Sequence, residues 1–164
     1  MNVTIRAFHK TDWESVSIIY EHGLQTRNAT FETEVPDYES WIRKFNPELL
    51  WVATLDGNVV GWAGLQPVSV RKVYEGVAEV TIYIHKDLGG KGIGSALMTH
   101  LANESEKAGI WMLYASIFPE NTASIRLHVS NGFREIGYRD RIARLDGKWR
   151  NTVLFERRSK KVGN

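Results

Sequence analysis

Hydrophobic positions along the chain alternate between the two-residue period of a strand and the 3.6-residue period of a helix. Hydrophobic side chains recur at helical spacing within residues 13–20 and 38–45, whereas two apolar runs, 50–55 and 59–65, flank the turn residues 56–58. Such a pair of runs predicts a β-hairpin. In chain order, the pattern predicts strands at residues 3–8, 50–55, 59–65, 80–84, 111–118, 134–145 and 151–157, and helices that begin near residues 11, 36, 93 and 121.

The predicted order of elements is β-α-α-β-β-β-α-β-α-β-β, with no repeat, linker or low-complexity segment. Two connections are long: residues 23–35 have no helical period, and residues 66–76 are polar and basic. A chain of 164 residues can bury about 70% of the surface that it exposes when unfolded. The sequence therefore predicts one mixed α/β domain that spans residues 1–164.

Charge and cysteine content exclude several classes of protein. The 21 basic and 19 acidic residues leave a net charge of +2, whereas a dedicated nucleic-acid binder concentrates a larger basic excess. Much of the imbalance lies in the basic tail at residues 157–161, which we expect to be solvated. The absence of cysteine excludes a disulfide framework, a thiolate nucleophile and a zinc–thiolate site. The sequence has neither a signal-peptide pattern nor an apolar run of membrane-spanning length, so we expect a cytoplasmic protein without a membrane or nucleic-acid partner.

The segment EVTIYIHKDLGGKGIGS, residues 79–95, carries the strongest chemical signal. A strand-like run leads to four glycines within residues 89–94, where a helical pattern begins. Glycine lets the backbone approach a ligand closely, and the free N–H groups of a helix's first turn attract phosphates. Ser95 stands where a dinucleotide fingerprint needs its third glycine, and Gly92 follows Lys91 where a P-loop needs Ser or Thr. The glycines alone leave two interpretations open: another kind of phosphate site, or an ordinary glycine-rich turn before a helix.

Three segments together favour the phosphate site. The sequence GGKGIG at residues 89–94 resembles the pyrophosphate-binding motif of the GCN5-related N-acetyltransferases, Arg/Gln-x-x-Gly-x-Gly/Ala, with a glycine in place of the first side-chain anchor. The sequence NTASIRLH at residues 121–128, followed by NGF at 131–133, resembles the last acetyl-CoA-contacting helix of that family. Residues 71–79 and 126–128 resemble the phosphinothricin (bialaphos-resistance) and methionine sulfoximine acetyltransferase branch. The resemblance covers nearly the whole chain.

This resemblance implies a fold, a co-substrate and an assembly. The implied fold is a central mixed, mostly antiparallel sheet flanked by helices. The implied co-substrate is acetyl-CoA, with no metal, and the chain is expected to form a homodimer. The strand backbone would hold the pantetheine arm, the glycine loop the pyrophosphate, and the asparagine that caps the last helix the cofactor arm. The residues predicted to bind acetyl-CoA on this basis are Ile82, Tyr83, Ile84, Gly90, Lys91, Gly92, Ile93, Gly94, Ser95 and Asn121.

Glu79 and His128 are the candidate catalytic residues. Acetyl transfer from a thioester to an amine needs a base for the amine proton and a means to stabilise the departing thiolate. Glu79 lies in a predicted strand, where partial burial would raise its pKa; the alternative is a glutamate at a strand edge that faces solvent. In the resembling branch a histidine occupies the position of His128 and is a candidate proton donor to the thiolate. The alternative is a core histidine that is held by a hydrogen bond.

The acceptor pocket is predicted from the two long connections. Arginine binds carboxylates and tetrahedral anions through paired N–H donors, so Arg71 is predicted to hold the anionic group of an amino acid. The alternative is a solvated basic loop. Residues 23–35 are predicted to wall the pocket, because long loops in compact domains often bind ligands. The residues predicted to bind the acceptor are Phe31, Glu32, Arg71, Lys72, Tyr74 and Glu79.

The predicted reaction is acetyl-CoA-dependent acetylation of the α-amino group of a small amino-acid analogue, such as phosphinothricin, methionine sulfoximine or methionine sulfone. The acetyl group is expected to pass directly to the amine, with Glu79 as general base. Two alternatives stay open: an acetyltransferase for proteins or peptides, and a non-catalytic acyl-CoA-binding module. The turn before Trp149 resembles a Gly-x-Trp turn of the branch, but Asn151 replaces the usual aspartate, so no contact is predicted for this turn.

Overall fold

The computed structural model describes residues 2–164, so Met1, the first residue of the predicted domain, lies outside the described residues. Within them, the predicted order of helices and strands is confirmed. The strands are β1 (Val3–Ala7), β2 (Leu50–Leu55), β3 (Asn58–Pro67), β4 (Val77–Ile84), β5 (Met112–Ile117), β6 (Arg134–Leu145) and β7 (Lys148–Arg158). The helices are α1 (Trp13–Gln25), α2 (Tyr38–Ile42), α3 (Ile93–Lys107) and α4 (Thr122–Ser130).

The seven strands form one sheet in the order β1-β2-β3-β4-β5-β7-β6. Every neighbouring pair is antiparallel except β4 and β5, which are parallel and are connected through α3. The predicted fold class, a mixed and mostly antiparallel sheet flanked by helices, is confirmed. No helix among residues 2–164 combines the length and the apolar character that a membrane crossing requires.

A hydrophobic core lies on each face of the sheet. On one face, α3 packs Leu97, Met98 and Leu101 against alternate residues of the central strands. On the other face, α1 and α2 enclose an aromatic core around Trp41 and Trp62. Because side chains alternate along a strand, a residue's position in its strand decides which core it meets.

The pairing between β4 and β5 ends halfway along β4. Residues 77–79 pair with residues 112–114, and no later residue of β4 pairs with β5, although β4 continues to Ile84. Beyond this point β5 pairs with β7 on its other side as far as Ile117. The two parallel strands therefore enclose a gap that opens toward their carboxyl ends.

Hydrogen bonds at the two ends of β4 determine which backbone groups face this gap. The Gly76 carbonyl accepts a hydrogen bond from the first residue of β5 (3.0 Å), whereas the N–H of His85 donates to a carbonyl of β3 (2.8 Å). Backbone groups of successive residues alternate between the two edges of a strand. The N–H and C=O groups of Ile82 and Ile84 therefore point into the gap.

The basic tail is docked in part: Ser159 is buried, whereas Arg158, Lys160 and Lys161 are exposed, as expected of a solvated tail. Glu106 on α3 accepts hydrogen bonds from Arg157 (3.3 Å) and from the hydroxyl of Ser159 (3.0 Å), and Lys161 pairs with its other oxygen at 3.2 Å. Arg158 donates to the carbonyls of Ser159 and Val162 (2.8 and 2.9 Å). A buried carboxylate needs charged partners, and the tail supplies them to α3.

Candidate active site

The glycine loop presents bare backbone to an open space. Gly90 and Gly92 have φ angles of +73° and +83°, in the left-handed region that favours glycine. A β-carbon built on either residue has no neighbouring atom within 4 Å. Gly92 is the N-cap of α3, and the first bond of the helix runs from the Ala96 N–H to its carbonyl (3.0 Å). The N–H groups of residues 93–95 have no partner in the helix and no acidic residue beside them in the first turn, so this end attracts a phosphate.

The neighbouring residues of the loop have different roles. A β-carbon on Gly94 would lie 3.2 Å from the side chain of Leu127, so this glycine allows α3 and α4 to approach each other. Ile93 is buried in the core, whereas Lys91 is exposed. The hydroxyl of Ser95 lies 3.5 Å from Oδ1 of Asn131. Ile93 and Gly94 can therefore contact a phosphate only through their N–H groups.

The gap beside β4 connects this phosphate site with Glu79. Ile84 at the end of β4 lies five positions after Glu79, about 17 Å away at the usual rise of a strand. Tyr83 does not face the gap: its ring stacks on Trp62 at 5.2 Å and contacts Tyr20 at 5.0 Å. Its backbone groups point toward β3, where it pairs with Trp62. Of the three strand residues predicted to bind the co-substrate, only Ile82 and Ile84 offer backbone groups to the gap.

Glu79 lies half-buried at the closed end of the gap. It belongs to an interior strand, with Gln66 of β3 and Tyr114 of β5 as its lateral neighbours. This position does not fit the alternative of a solvent-facing edge glutamate. Burial raises the pKa of the Glu79 carboxyl above its usual value, and the positive charge of Arg139 partly opposes that rise. Neither a hydrogen bond nor an ion pair engages the carboxylate within residues 2–164, so its oxygens are available to a substrate.

His128 is a core residue that is held by its own helix. Its side chain is 3% exposed, and the ring of Phe133 packs edge-on against it at 4.9 Å. Nδ1 lies 2.7 Å from the Ser124 carbonyl oxygen, which can only accept, so Nδ1 carries the proton. Burial lowers the pKa of the imidazole, although this hydrogen bond acts in the opposite direction. A neutral ring protonated at Nδ1 has no proton on Nε2, which fits the structural alternative for this residue.

Asn121 connects α4 to the long loop between α1 and α2. Its Oδ1 accepts a hydrogen bond from the Ser124 N–H (3.2 Å) and caps the helix. Its Nδ2 donates to the Asn28 carbonyl at 3.0 Å. This residue therefore orients the loop as well as the helix that the sequence relates to co-substrate binding.

Arg150 on β7 also holds the loop, and the sequence analysis did not identify it. The guanidinium donates to the Arg27 carbonyl (2.8 Å) and to Oδ1 of Asn28 (3.3 Å), pairs with Glu120 (3.3 Å) and lies over the ring of Phe118 at 4.0 Å. These partners are separated from Arg150 by as many as 123 positions in the chain, so no local sequence signal could have revealed them.

The loop residues Phe31 and Glu32 lie close to the ends of the central strands. The Phe31 ring packs edge-on against Phe118, which follows β5, at 4.9 Å. Burial, with a smaller effect of the Glu32 charge, raises the pKa of Tyr20 to about 12. Burial also raises the pKa of Tyr83, with smaller effects of Tyr20 and of the Glu32 charge in the same direction. The loop thus covers the sheet face that carries Glu79.

Arg71, Lys72 and Tyr74 belong to the connection between β3 and β4. All three are exposed: Lys72 and Tyr74 lie in a short 3₁₀ turn, Arg71 is its N-cap, and the guanidinium of Arg71 lies over the Tyr74 ring at 5.4 Å. Among the described residues, no hydrogen bond or ion pair connects these three side chains to the loop or to Glu79. Asn151 has a structural role, since its Oδ1 accepts a hydrogen bond from the Arg141 N–H (2.7 Å) at an irregularity of β6.

Comparison with known proteins identifies a family. A sequence model described as "Acetyltransferase (GNAT) family" matches residues 13–133. A phosphinothricin N-acetyltransferase of Alcaligenes faecalis is 32% identical over 94% of this chain and 81% of its own.

Two solved structures share the fold. One is a phosphinothricin acetyltransferase of Sinorhizobium meliloti in complex with acetyl-CoA, with 27% identity, a TM-score of 0.90 and coverage of 99% of this chain and 91% of that chain. The other is a ribosomal-protein-alanine N-acetyltransferase of Brucella melitensis, with 26% identity, a TM-score of 0.87 and coverage of 95% and 99%.

Proposed function

The chain belongs to the acetyltransferase (GNAT) family, and from this premise we propose that it acetylates the α-amino group of a small amino-acid analogue. It is an acetyl-CoA-dependent N-acetyltransferase of the phosphinothricin type. The acceptors that we propose are phosphinothricin, methionine sulfoximine and methionine sulfone.

The observation that carries this proposal is the continuous path between the glycine loop and Glu79. The phosphate-binding end of α3, the open backbone edge of β4 and the half-buried carboxylate follow one another along this path. When bound, acetyl-CoA supplies the thioester that is attacked. The N–H groups of residues 93–95 would hold its pyrophosphate, and the backbone of Ile82 and Ile84 would hold its pantetheine arm.

Glu79 acts as the general base in this proposal. A bond forms between the acceptor nitrogen and the acetyl carbon, the carbon–sulfur bond breaks, and Glu79 takes the proton that the nitrogen loses. The sulfur leaves with the electron pair of the broken bond and takes a proton from solvent. Burial, which raises the pKa of Glu79, brings this base closer to neutral pH, where general-base catalysis is most efficient.

The proposal gives His128 a structural role. Its Nδ1 proton is committed to the Ser124 carbonyl, and its lowered pKa favours the neutral ring at pH 7. The imidazole then fixes the last turns of α4, which Asn121 caps at the other end. The helix in turn supports the gap through the contact between Leu127 and Gly94.

Acetylation of a protein N-terminus is the second candidate. The similarity to the Brucella melitensis ribosomal-protein-alanine N-acetyltransferase favours it. Against it, Arg150 and Asn121 hold the loop between α1 and α2 on the sheet face that carries Glu79, and a loop held there leaves less room for a peptide. A non-catalytic acyl-CoA-binding module would need no carboxylate with a raised pKa at the end of the gap.

We also propose a cytoplasmic homodimer. β6 is the last strand of the sheet, and it exposes the apolar side chains of Ile136, Tyr138 and Ile142. An exposed sheet edge with apolar side chains is suited to burial against a second copy. Sedimentation at micromolar concentration tests this part, and a monomer there would contradict it.

A product assay by mass spectrometry tests the proposed function. The purified protein would be incubated with acetyl-CoA and, separately, with phosphinothricin, methionine sulfone and short peptides that begin with alanine. Acetylated amino-acid analogues are the expected products. Acetylation of the peptides alone would support the second candidate, and no product from any acceptor would support the non-catalytic module.

A further inference from the structure

Gln66 of β3 and Tyr114 of β5 flank Glu79 on its face of the sheet. The strand register pairs Glu79 with both residues, and paired residues of neighbouring strands point to the same face. The α-carbons of such pairs are about 4.5–5.5 Å apart. The next residue of β4 on this face, Thr81, is about 6.6 Å away at the usual rise of a strand. Gln66 and Tyr114 are therefore the nearest neighbours of Glu79 within its face of the sheet.

Both neighbours keep unused hydrogen-bonding capacity. Gln66 and Tyr114 are half-buried, and neither side chain makes a hydrogen bond among residues 2–164. The next residue along this row, Glu156 of β7, is already paired with Arg134 at 3.2 Å. Burial that removes a polar group from water favours a hydrogen-bond partner in its place. The two side chains beside Glu79 are therefore suited to bind the molecule that reacts there.

The spacing of this row suits a nitrogen atom that binds two neighbouring side chains at once. Two acceptor atoms that one tetrahedral nitrogen engages at about 2.9 Å each are about 4.7 Å apart. Neighbouring strands are separated by almost the same distance, about 4.8 Å. Glutamine has the length of glutamate and tyrosine is longer, so Gln66 and Tyr114 can reach at least as far from the sheet as the Glu79 carboxylate. An amine that faces Glu79 therefore has a second hydrogen-bond acceptor on either side.

We propose that the side-chain oxygens of Gln66 and Tyr114 accept hydrogen bonds from the acceptor nitrogen beside Glu79 and restrict acetylation to primary amines. This inference rests on the proposed function and adds two residues that contact the substrate. A primary amine arrives at pH 7 as an ammonium ion, whose three N–H groups match the three side chains of the row. In either protonation state a secondary amine has one N–H group fewer. Its additional alkyl group would lie against Gln66 or Tyr114 and leave that polar side chain unpaired, which costs free energy.

Steady-state kinetics with two matched acceptors test this role. Methionine sulfone and its N-methyl derivative differ in one N–H group, and the wild-type protein should acetylate the N-methyl compound with the lower kcat/KM. The double variant Gln66→Met/Tyr114→Phe keeps the shape of both side chains. It should lower kcat/KM for methionine sulfone about 3- to 10-fold more than for the N-methyl derivative, because the primary amine has one more neutral hydrogen bond to lose. Tyr38→Phe, which removes a tyrosine hydroxyl from α2 instead, is the matched control and should change neither value.

Equal losses for the two acceptors, or an unchanged kcat/KM for methionine sulfone in the double variant, would overturn the inference. If the double variant does not fold, Tyr114→Phe alone decides, with an expected loss of about 3- to 10-fold for methionine sulfone.

If the wild-type protein acetylated neither compound, the proposed acceptor class would fail, and calorimetry would then decide about Gln66 and Tyr114. Methionine sulfone would be titrated into the wild-type protein and into the double variant, each saturated with CoA. Weaker binding to the variant supports the inference, whereas equal binding or no binding to either protein overturns it.

Discussion

Replacement of Glu79 by glutamine tests the chemistry most directly. Glutamine preserves the shape of the side chain and removes the base, and no hydrogen bond or ion pair is lost because none engages the carboxylate within residues 2–164. Loss of general-base assistance should lower kcat at pH 7 about 10²- to 10⁴-fold, which corresponds to roughly 2.7–5.4 kcal/mol of transition-state stabilisation. The loss should shrink at high pH, where more of the acceptor amine is already deprotonated. The Kd of acetyl-CoA should not change, because backbone groups form its site.

The same variant should be more stable than the wild-type protein at neutral pH. Burial raises the pKa of Glu79 in the folded state, so its contribution to stability is complete below the pKa of the unfolded chain and is lost as the pH rises through the folded-state value. The variant should therefore have the higher Tm at pH 7, and the difference should disappear near pH 4. Glu156→Gln is the control, since this carboxylate lies in the same row of the sheet but is paired with Arg134. A normal kcat at pH 7 in a folded Glu79→Gln protein would refute the mechanism.

Three further predictions concern the surroundings of this residue. Gly92→Ala should raise the Kd of acetyl-CoA about tenfold or more, equivalent to about 1.4 kcal/mol of binding free energy. Gly57→Ala is the control, because Gly57 has the same φ of +83° and the same open space, so this variant should lose similar stability and keep the Kd of the wild-type protein. Equal Kd values for both variants in calorimetry would exclude the glycine loop as the phosphate site. Arg150→Ala should speed hydrogen exchange in residues 26–34 and raise the acceptor KM, with Arg144→Ala as control, and unchanged exchange would show that other contacts hold the loop. His128→Asn, which keeps a donor for the helix carbonyl, should leave kcat within about threefold from pH 6 to 9, because the proposed mechanism gives the imidazole no part in proton transfer. Loss of a general acid typically lowers kcat about 10²- to 10⁴-fold, so a loss in that range without a change in Tm would restore the catalytic role.

The order of the elements was predictable because local signals determine it. The apolar runs around the Asp56-Gly57-Asn58 turn predict the β2–β3 hairpin, and the glycines at 89–94 mark the start of α3. Boundaries were less predictable. α1 begins at Trp13 because Asp12 pairs with Arg6 (2.8 Å) and accepts a hydrogen bond from the His9 N–H (2.8 Å), which stabilises a 3₁₀ turn before the helix.

The parts of the site that the sequence did not predict depend on contacts between distant residues. Gly92 and Gly94 are equivalent in the motif, yet one faces open space and the other packs against α4. The gap between β4 and β5 depends on how far these two strands pair. The hydrophobic pattern does not determine that pairing, because the strands are parallel and α3 lies between them in the chain. Arg71 is predicted to bind the anion because an arginine in the basic connection before β4 suits that role, whereas the arginine whose charge lowers the pKa of Glu79 follows Glu79 by 60 positions.

The short seam between β4 and β5 also has a mechanical consequence. Strands β1–β4 form one half-sheet and β5–β7 another, and the register joins the two halves through residues 77–79 and 112–114 alone. A molecule that hydrogen-bonds to the free edge of β4 while contacting β5 would tie the two half-sheets together where no backbone pairing does so. Glu79 lies in the last pair of the seam, so strand pairing still holds its backbone on both sides.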